Sequence, residues 1–248
     1  MVLTKRIYGY ITIFRVKVII LISVLELIVL SHQIERLPIE IDGKLMAHRI
    51  IPDLLDVSPN TTIGVKYVGG TSLDLGEEII PREVKEKPYY VRFDAEKDQF
   101  YSLLFTDLDV PSRANPIQRE YIHWMRVNLN GTDLRLCELK GESLAAYVAP
   151  NPVNGSGFHR FVYQAYKHPQ GKKLIFDEPC LPEDPNDPRR QHFSTKKFVG
   201  KYNLGKPIAV NFFEAEWKPY YDEKPLVHHR VKSYSYTPYS LYLSNASN

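Results

Sequence analysis

Five segments rich in aromatic and β-branched residues, separated by clusters of proline, glycine, asparagine and aspartate, constrain the fold of this chain most. Such side chains favour strands, and clusters such as VPSRANP, APNPVNGSG and LPEDPNDPRR interrupt both helices and β-ladders. One helix is predicted over Ser194–Leu204, with Ser194 as its N-cap and Gly205 at its end. The predicted strands are Tyr89–Phe93, Phe100–Thr106, His123–Leu129, Phe158–Tyr166 and Ile208–Trp217.

The composition is that of a globular protein, because 44% of the 248 residues are hydrophobic and 25% are charged. Residues 45–221 show no repeat and no long linker, so we expect one mainly β domain there. Residues 222–248 are rich in tyrosine and serine and are expected to form a divergent, loosely ordered tail. The two cysteines, Cys137 and Cys180, exclude a disulfide scaffold and leave open one disulfide or two free thiols.

Residues 1–31 are predicted to be a targeting leader. They carry four basic residues and one acidic residue, which accounts for the whole formal net charge of +3. The apolar run from Val18 to Leu30 suits a signal peptide and is shorter than the roughly 20 residues of a membrane span. We therefore expect a secreted protein that starts near His32, with an uncut membrane anchor and a mitochondrial presequence as alternatives. Four N-glycosylation sequons fit secretion, at Asn60, Asn130, Asn154 and Asn245.

Beyond the leader the chain is electrically neutral, so nucleic-acid binding is not expected. Two histidines on predicted strands are the candidates for chemistry instead. Period-two alternation places His123 on one face with Met125, Val127 and Leu129, and His159 on one face with Phe161, Tyr163 and Ala165. A buried imidazole needs hydrogen-bonding partners. The nearest acidic residues that could supply such a partner are Asp107 and Asp109, which follow an apolar strand. The alternative is that each histidine is simply a core residue whose ring nitrogens are hydrogen-bonded and that has no functional role.

Three motifs occur in a fixed order along the chain: DLDVPSR from Asp107, REYIHW from Arg119 and NGSGFHRF from Asn154. DEP, KFVGKYNLGKP and FFEAEW follow them. This constellation resembles the phosphatidylethanolamine-binding protein family, also called Raf kinase inhibitor proteins, with its patterns DPDAPSR, REWHH and GxGxHRY. The resemblance covers roughly residues 48–221. It implies a mainly β fold, a sandwich of two antiparallel sheets with a few short helices.

The resemblance also implies a small pocket for phosphate-like anions and phospholipid head groups of the phosphatidylethanolamine type, without metal or cofactor. Four pocket residues match the family pattern: Asp107, Pro111, His123 and His159. At the rim and wall, Asn151 and Phe161 stand where the family has glycine and tyrosine. The missing phenol removes a polar contact of about 1 kcal/mol. Further departures are Leu108, Tyr121 and Ile122, and Pro219 and Pro225 oppose the family's C-terminal helix.

We therefore expect a monomeric, non-enzymatic binding protein that modulates a kinase or protease partner and contacts membranes peripherally. One alternative is a protein-interaction or inhibitor module with a vestigial pocket. Another is a metal-dependent enzyme that uses Asp107, His123 and His159 as a facial triad. An acid/base pair of Asp109 and Glu120 is a further alternative. The common hydrolase and NTPase signatures GxSxG, HExxH and the P-loop are absent from the sequence.

Overall fold

The structure is a computed structural model that describes residues 36–219. The predicted leader and the predicted tail both lie outside these residues. The helices are α1 Pro38–Ala47, α2 Ile50–Asp53, α3 Gly131–Arg135 and α4 Thr195–Lys201, with short 3-10 turns at Pro81–Val84, Pro169–Gly171 and Pro188–Arg190. The strands are β1 Thr61–Thr62, β2 Gly64–Lys66, β3 Glu77–Glu78, β4 Tyr90–Arg92, β5 Phe100–Asp107, β6 Tyr121–Asn130, β7 Glu142–Ala145, β8 His159–Lys167 and β9 Ala209–Ala215.

Two sheets form the domain, as the family resemblance implies. The larger has the order β1-β9-β8-β5-β6-β7, and the smaller pairs β2 with β4 in antiparallel fashion. The long strands of the larger sheet are antiparallel to one another, while the two-residue strands β1 and β3 lie parallel to β9. The predicted fold class is therefore confirmed, with two short parallel additions at one edge.

Apolar side chains cover both faces of the larger sheet. Between the sheets, Phe105, Tyr163 and Phe213 pack with side chains of the smaller sheet. On the opposite face, α4 contributes Phe198 to one cluster, while α1 contributes Ile41 to another. Helix α1 thus belongs to the same folded unit, although it begins before the boundary predicted at residue 45. Within residues 36–219, none of the helices combines the length and apolar character that a membrane crossing requires.

Helix α4 confirms the predicted helix. The side chain of Ser194 accepts a hydrogen bond from the amide of Lys197 and so caps the first turn. Gly205 has φ +74°, a left-handed conformation that glycine adopts at little cost, where the chain leaves the helix. Cys137 and Cys180 are free thiols, so the single disulfide left open by the sequence does not form between them.

The pairing of β5 with β6 contains an extra residue at His123. Phe105 pairs with Trp124 and Thr106 pairs with Ile122, so His123 is bulged out of the ladder. Its ring contacts Phe105 between the two sheets, whereas Met125 and Val127 pack on the opposite face. The prediction that His123 shares a face with Met125 and Val127 is therefore wrong, because regular alternation does not continue through a bulge.

Candidate functional site

Asp107 and His159 meet at the ends of two neighbouring strands. Asp107 ends β5, His159 begins β8, and the antiparallel register pairs Asp107 with Phe161. Nδ1 of His159 lies 2.8 Å from Oδ2 of Asp107, and both residues are almost fully buried. The other carboxylate oxygen of Asp107 accepts a hydrogen bond of 2.7 Å from the amide of Asp109. The carboxylate thus fixes the imidazole in one orientation with Nδ1–H as the donor.

His123 points towards the same end of the sheet because of the bulge. Nδ1 lies 2.8 Å from the carbonyl oxygen of Val148 and donates to it. Within residues 36–219, no hydrogen bond joins Nε2 of His123 to another residue. Burial lowers the pKa of His123 to about 4, although the Asp107 carboxylate acts in the opposite direction. At neutral pH, Nε2 is therefore an acceptor rather than a donor.

Phe161 connects the two imidazoles. Its fully buried ring lies 5.4 Å from the His123 ring and 6.1 Å from the His159 ring, measured between centroids. The structure therefore brings Asp107, His123, His159 and Phe161 together on one face of the sheet. Their common position comes from β5, β6 and β8, whose ends lie side by side.

The remaining predicted site residues lie in the surrounding loops. Pro111 follows a cis peptide bond with Val110 in the loop after Asp107 and is half-buried. Asn151 is exposed in the loop before β8. The left-handed residues of that loop are Gly155 and Gly157, with φ +80° and +75°, so Asn151 does not occupy a conformation that demands glycine.

Ser156 is part of the site, and the sequence analysis missed it. Its Oγ lies 2.9 Å from Nε2 of His159 and 2.7 Å from the carbonyl oxygen of Val153. The amide of Ser156 also donates to that carbonyl group, which closes a tight turn over the site. The NGSG segment carried a signal, since a small hydroxyl residue between glycines lies three positions before the histidine.

Asp109 and Glu120 serve the framework instead of forming an acid/base pair. Asp109 is fully buried and binds Arg160, Arg113 and Arg119. Burial raises the pKa of Asp109, but the hydrogen bonds and charge of Arg160 outweigh that effect, so the pKa is lowered. Glu120 instead accepts hydrogen bonds from the amide and hydroxyl of Thr195. The pairing of Arg113 and Arg119 with carboxylates follows the general preference of guanidinium groups.

Arg190 places a buried positive charge behind His123. Its guanidinium donates to the carbonyl groups of Ile122 and Ala146, both at 2.9 Å, and reaches that of His123 at 3.4 Å. These partners are neutral, and the charge of Arg190 contributes to the lowered pKa of His123. The guanidinium fixes the backbone on which His123 stands.

Two clefts on the described surface lie away from these residues. One, of about 330 Å³, borders α1 at Lys44, and the other, of about 480 Å³, borders the turn after β8 at His168. Within residues 36–219, no three His, Cys, Asp or Glu side chains are arranged to hold a metal ion. The facial triad weighed from the sequence therefore has no supporting geometry among these residues.

Comparisons with known proteins agree with the motifs. The profile of the phosphatidylethanolamine-binding protein family matches residues 71–213. The chain is 33% identical to odorant-binding protein A5 of Drosophila melanogaster over 174 residues, which cover 70% of this chain and 79% of the relative. It is also 33% identical to Protein TERMINAL FLOWER 1 of Arabidopsis thaliana over 173 residues, or 69% of this chain and 89% of the relative.

Solved structures share the fold at lower sequence identity. A phosphatidylethanolamine-binding protein from Plasmodium vivax superposes with a TM-score of 0.60 at 20% identity and covers 71% of this chain and 97% of its own. A carboxypeptidase Y inhibitor, solved in complex with its cognate proteinase, also gives a TM-score of 0.60, at 22% identity, with 76% of this chain and 100% of its own covered. With the matched profile and the two relatives at 33% identity, these findings show that the chain belongs to the phosphatidylethanolamine-binding protein family.

Proposed function

We propose that this protein binds phosphoryl anions, such as those of phospholipid head groups, at Asp107, His123 and His159 without breaking a bond. One observation carries the proposal. The buried His123 ring has an Nε2 atom with no partner among the described residues, beside the Phe161 ring that His159 also contacts. A ring nitrogen that makes no hydrogen bond within the protein is available to pair with a ligand.

The charges around the site suit a phosphoryl group that carries a proton or an ammonium neighbour. His159, held by Asp107, turns its other nitrogen outward towards Ser156 and can donate from it when protonated. The neutral His123 can accept from a P–OH group, or take up a proton as the anion binds. Arg190 adds a fixed positive charge behind His123. These groups favour an anion with a hydrogen-bond donor over a fully deprotonated one.

The test follows the imidazole ring signals in NMR spectra while ligand is added. The probes are inorganic phosphate, phosphorylethanolamine and vesicles of phosphatidylethanolamine, which separate a free anion from a lipid head group. The signals of His123 and His159 should shift. His168 is an internal control, because it is buried at the opposite end of β8 and both its nitrogens are bonded, to Ser102 and Lys172.

A variant checks that the shifts come from the site. His123→Phe keeps an aromatic ring among Phe105, Tyr121 and Phe161, whose rings lie within 5.4 Å of the histidine. It should weaken phosphorylethanolamine binding about tenfold, the equivalent of one charge-assisted hydrogen bond. Unchanged ring signals at millimolar concentrations of all three probes would overturn the proposal.

A protein partner is the second candidate function. A relative of the same fold was solved as an inhibitor in complex with its proteinase. In this chain, Ile117 and Val153 are each 65% exposed, on the two loops that lead into β6 and β8 at the site end of the sheet. Exposed apolar side chains of this kind suit a protease or kinase surface. The test is capture of a protease by two variants, Ile117→Asp and, as the control, Ile175→Asp, which changes an exposed residue elsewhere. Loss of capture in the first variant but not in the second would support this role. Equal capture by both variants would contradict it.

Secretion is part of the proposal. It rests on the basic and apolar pattern of residues 1–31 and on the exposed sequon at Asn154. Expression of the full chain in secretory cells should give secreted protein whose N-terminus lies near His32, with a mass that falls on deglycosylation. Material that begins at Met1 and carries no glycan would contradict it.

A further inference from the structure

Ser156, His159 and Asp107 form a continuous hydrogen-bonded series that anion binding alone does not require. Oγ of Ser156 lies 2.9 Å from Nε2 of His159, and Nδ1 of the same ring lies 2.8 Å from the Asp107 carboxylate. A hydroxyl group, an imidazole and an orienting carboxylate in this order are the parts of an activated serine nucleophile. Such a triad is recognised by geometry, whatever the order of its members along the chain.

Burial gives each member a suitable environment. His159 is 2% exposed and Asp107 is 3% exposed, so their interaction is little screened by water. Ser156 is half-buried in the turn above them and remains open to a small molecule from solution. Gly157, the next residue, is exposed, so the chain beside Ser156 is also open to solvent.

The single hydroxyl proton of Ser156 has two acceptors within reach. When it goes to the carbonyl of Val153, 2.7 Å away, Oγ can only accept from Nε2, and His159 then carries both ring protons. When His159 is neutral, with Nδ1–H on Asp107, Nε2 offers a lone pair and the hydroxyl donates to it. The neutral ring is therefore the form that activates Ser156.

We propose that Ser156 is a nucleophile that accepts acyl groups from esters, with His159 as its general base and Asp107 as the residue that positions the base. Oγ forms a bond to the ester carbonyl carbon while its proton moves to Nε2 of His159. The ester C–O bond then breaks, and the alcohol leaves with that proton. Water, deprotonated by the same ring, releases the carboxylic acid and restores Ser156. This inference shares His159 with the proposed anion site but does not require that an anion bind there.

A fluorophosphonate probe on the full chain tests the nucleophile directly. Oγ of Ser156 forms a bond to phosphorus, the P–F bond breaks, fluoride leaves and the hydroxyl proton passes to His159. Peptide mass spectrometry should find one adduct per chain, on Ser156, formed about 100-fold faster than any adduct on Ser143. Ser143 is an exposed serine in β7 and provides the matched control, since Ser143→Ala should leave the labelling unchanged.

Two variants separate activation from simple exposure. Ser156→Ala, in a surface turn, should abolish the adduct, and His159→Gln should slow it about 100-fold. Labelling of Ser156 no faster than that of Ser143 in the wild-type chain would overturn the inference, and this comparison needs no variant to fold. Equal rates in a folded His159→Gln variant would do the same. Phosphate-induced shifts without labelling would defeat this inference alone, and labelling without such shifts would defeat only the proposed function.

Discussion

Arg160 holds both carboxylate oxygens of Asp109, with Nη2 2.7 Å from Oδ1 and Nε 2.8 Å from Oδ2. Both side chains are buried, at 1% and 0% exposure. The same guanidinium reaches Asp53 and the carbonyl groups of His48 and Arg49, so it also ties α2 to the sheet. Because Arg160 follows His159 and points to the opposite face, this ion pair fixes the strand end from which His159 projects.

Loss of Arg160 should therefore destabilise the whole domain. Arg160→Met leaves Asp109 as a buried charge with weaker partners and should lower the free energy of unfolding by about 3–5 kcal/mol. Arg113→Met, at a guanidinium that is 42% exposed, should cost less than about 1 kcal/mol. Urea denaturation measures both. Similar costs for the two variants would show that burial does not distinguish them.

Glu120 should make stability depend on pH. Burial raises its pKa to about 7, although hydrogen bonds from Thr195 act in the opposite direction. The folded state thus holds this proton more tightly than the unfolded state, whose carboxyl group titrates near 4.5. The contribution of protonated Glu120 to the free energy of unfolding is therefore full below pH 4.5 and is lost as the pH rises to about 7.

Glu120→Gln isolates this effect, because the amide keeps the oxygen that accepts from Thr195. The difference in unfolding free energy between variant and wild type should change in favour of the variant by on the order of 2 kcal/mol from pH 4.5 to 8. Urea denaturation across that range gives the difference. A constant difference would contradict the raised pKa.

His123 should stay neutral far below the usual range of histidine. Its ring signals in an NMR pH titration should show a midpoint near 4, the pKa that burial gives it. Saturation with inorganic phosphate should raise this midpoint, because an anion next to the ring stabilises its protonated form. A midpoint near 6.5 in the ligand-free protein would mean that the ring is hydrated.

Phe161→Tyr tests the departure from the family pattern at the wall of the site. The ring lies beside both imidazoles, so a hydroxyl group there should add a contact to phosphate of about 1 kcal/mol, or fivefold in affinity. Phe176→Tyr, half-buried next to Tyr202 near α4, is the control and should leave the affinity unchanged. Equal affinities for the two variants would show that the ring edge does not reach the ligand.

The sequence predicted what depends on local composition. The five long strand segments and the helix begin and end within about three residues of their predicted bounds, since aromatic and β-branched runs, a serine cap and a terminal glycine are local signals. A carboxylate partner for one of the two histidines was expected from the family motif and from the acidic residues after an apolar strand, but the pairing of Asp107 with His159 in particular was left open.

What the sequence did not reveal depends on contacts far apart in the chain. Strands β1, β2, β3 and β7 have only two to four residues each, which is too few to show the alternation of apolar and polar residues that marks a strand. The bulge at His123 is set by pairing with β5, which no pattern within β6 records. Arg160 and Arg190 looked like ordinary charged residues, because their burial arises only when distant carbonyl groups and Asp109 surround them.

The bulge separates the candidate site residue His123 from the neighbouring residues that pair β6 with β5. If His123 were removed, Ile122 and Trp124 would be adjacent in the chain. They would then pair with Thr106 and Phe105 without a break in the ladder. His123 is thus a one-residue insertion into the ladder, and its carbonyl group is held by the amide of Val148 and by Arg190. A change of one residue in the length of β6 therefore decides whether an imidazole faces the space between the sheets at this point.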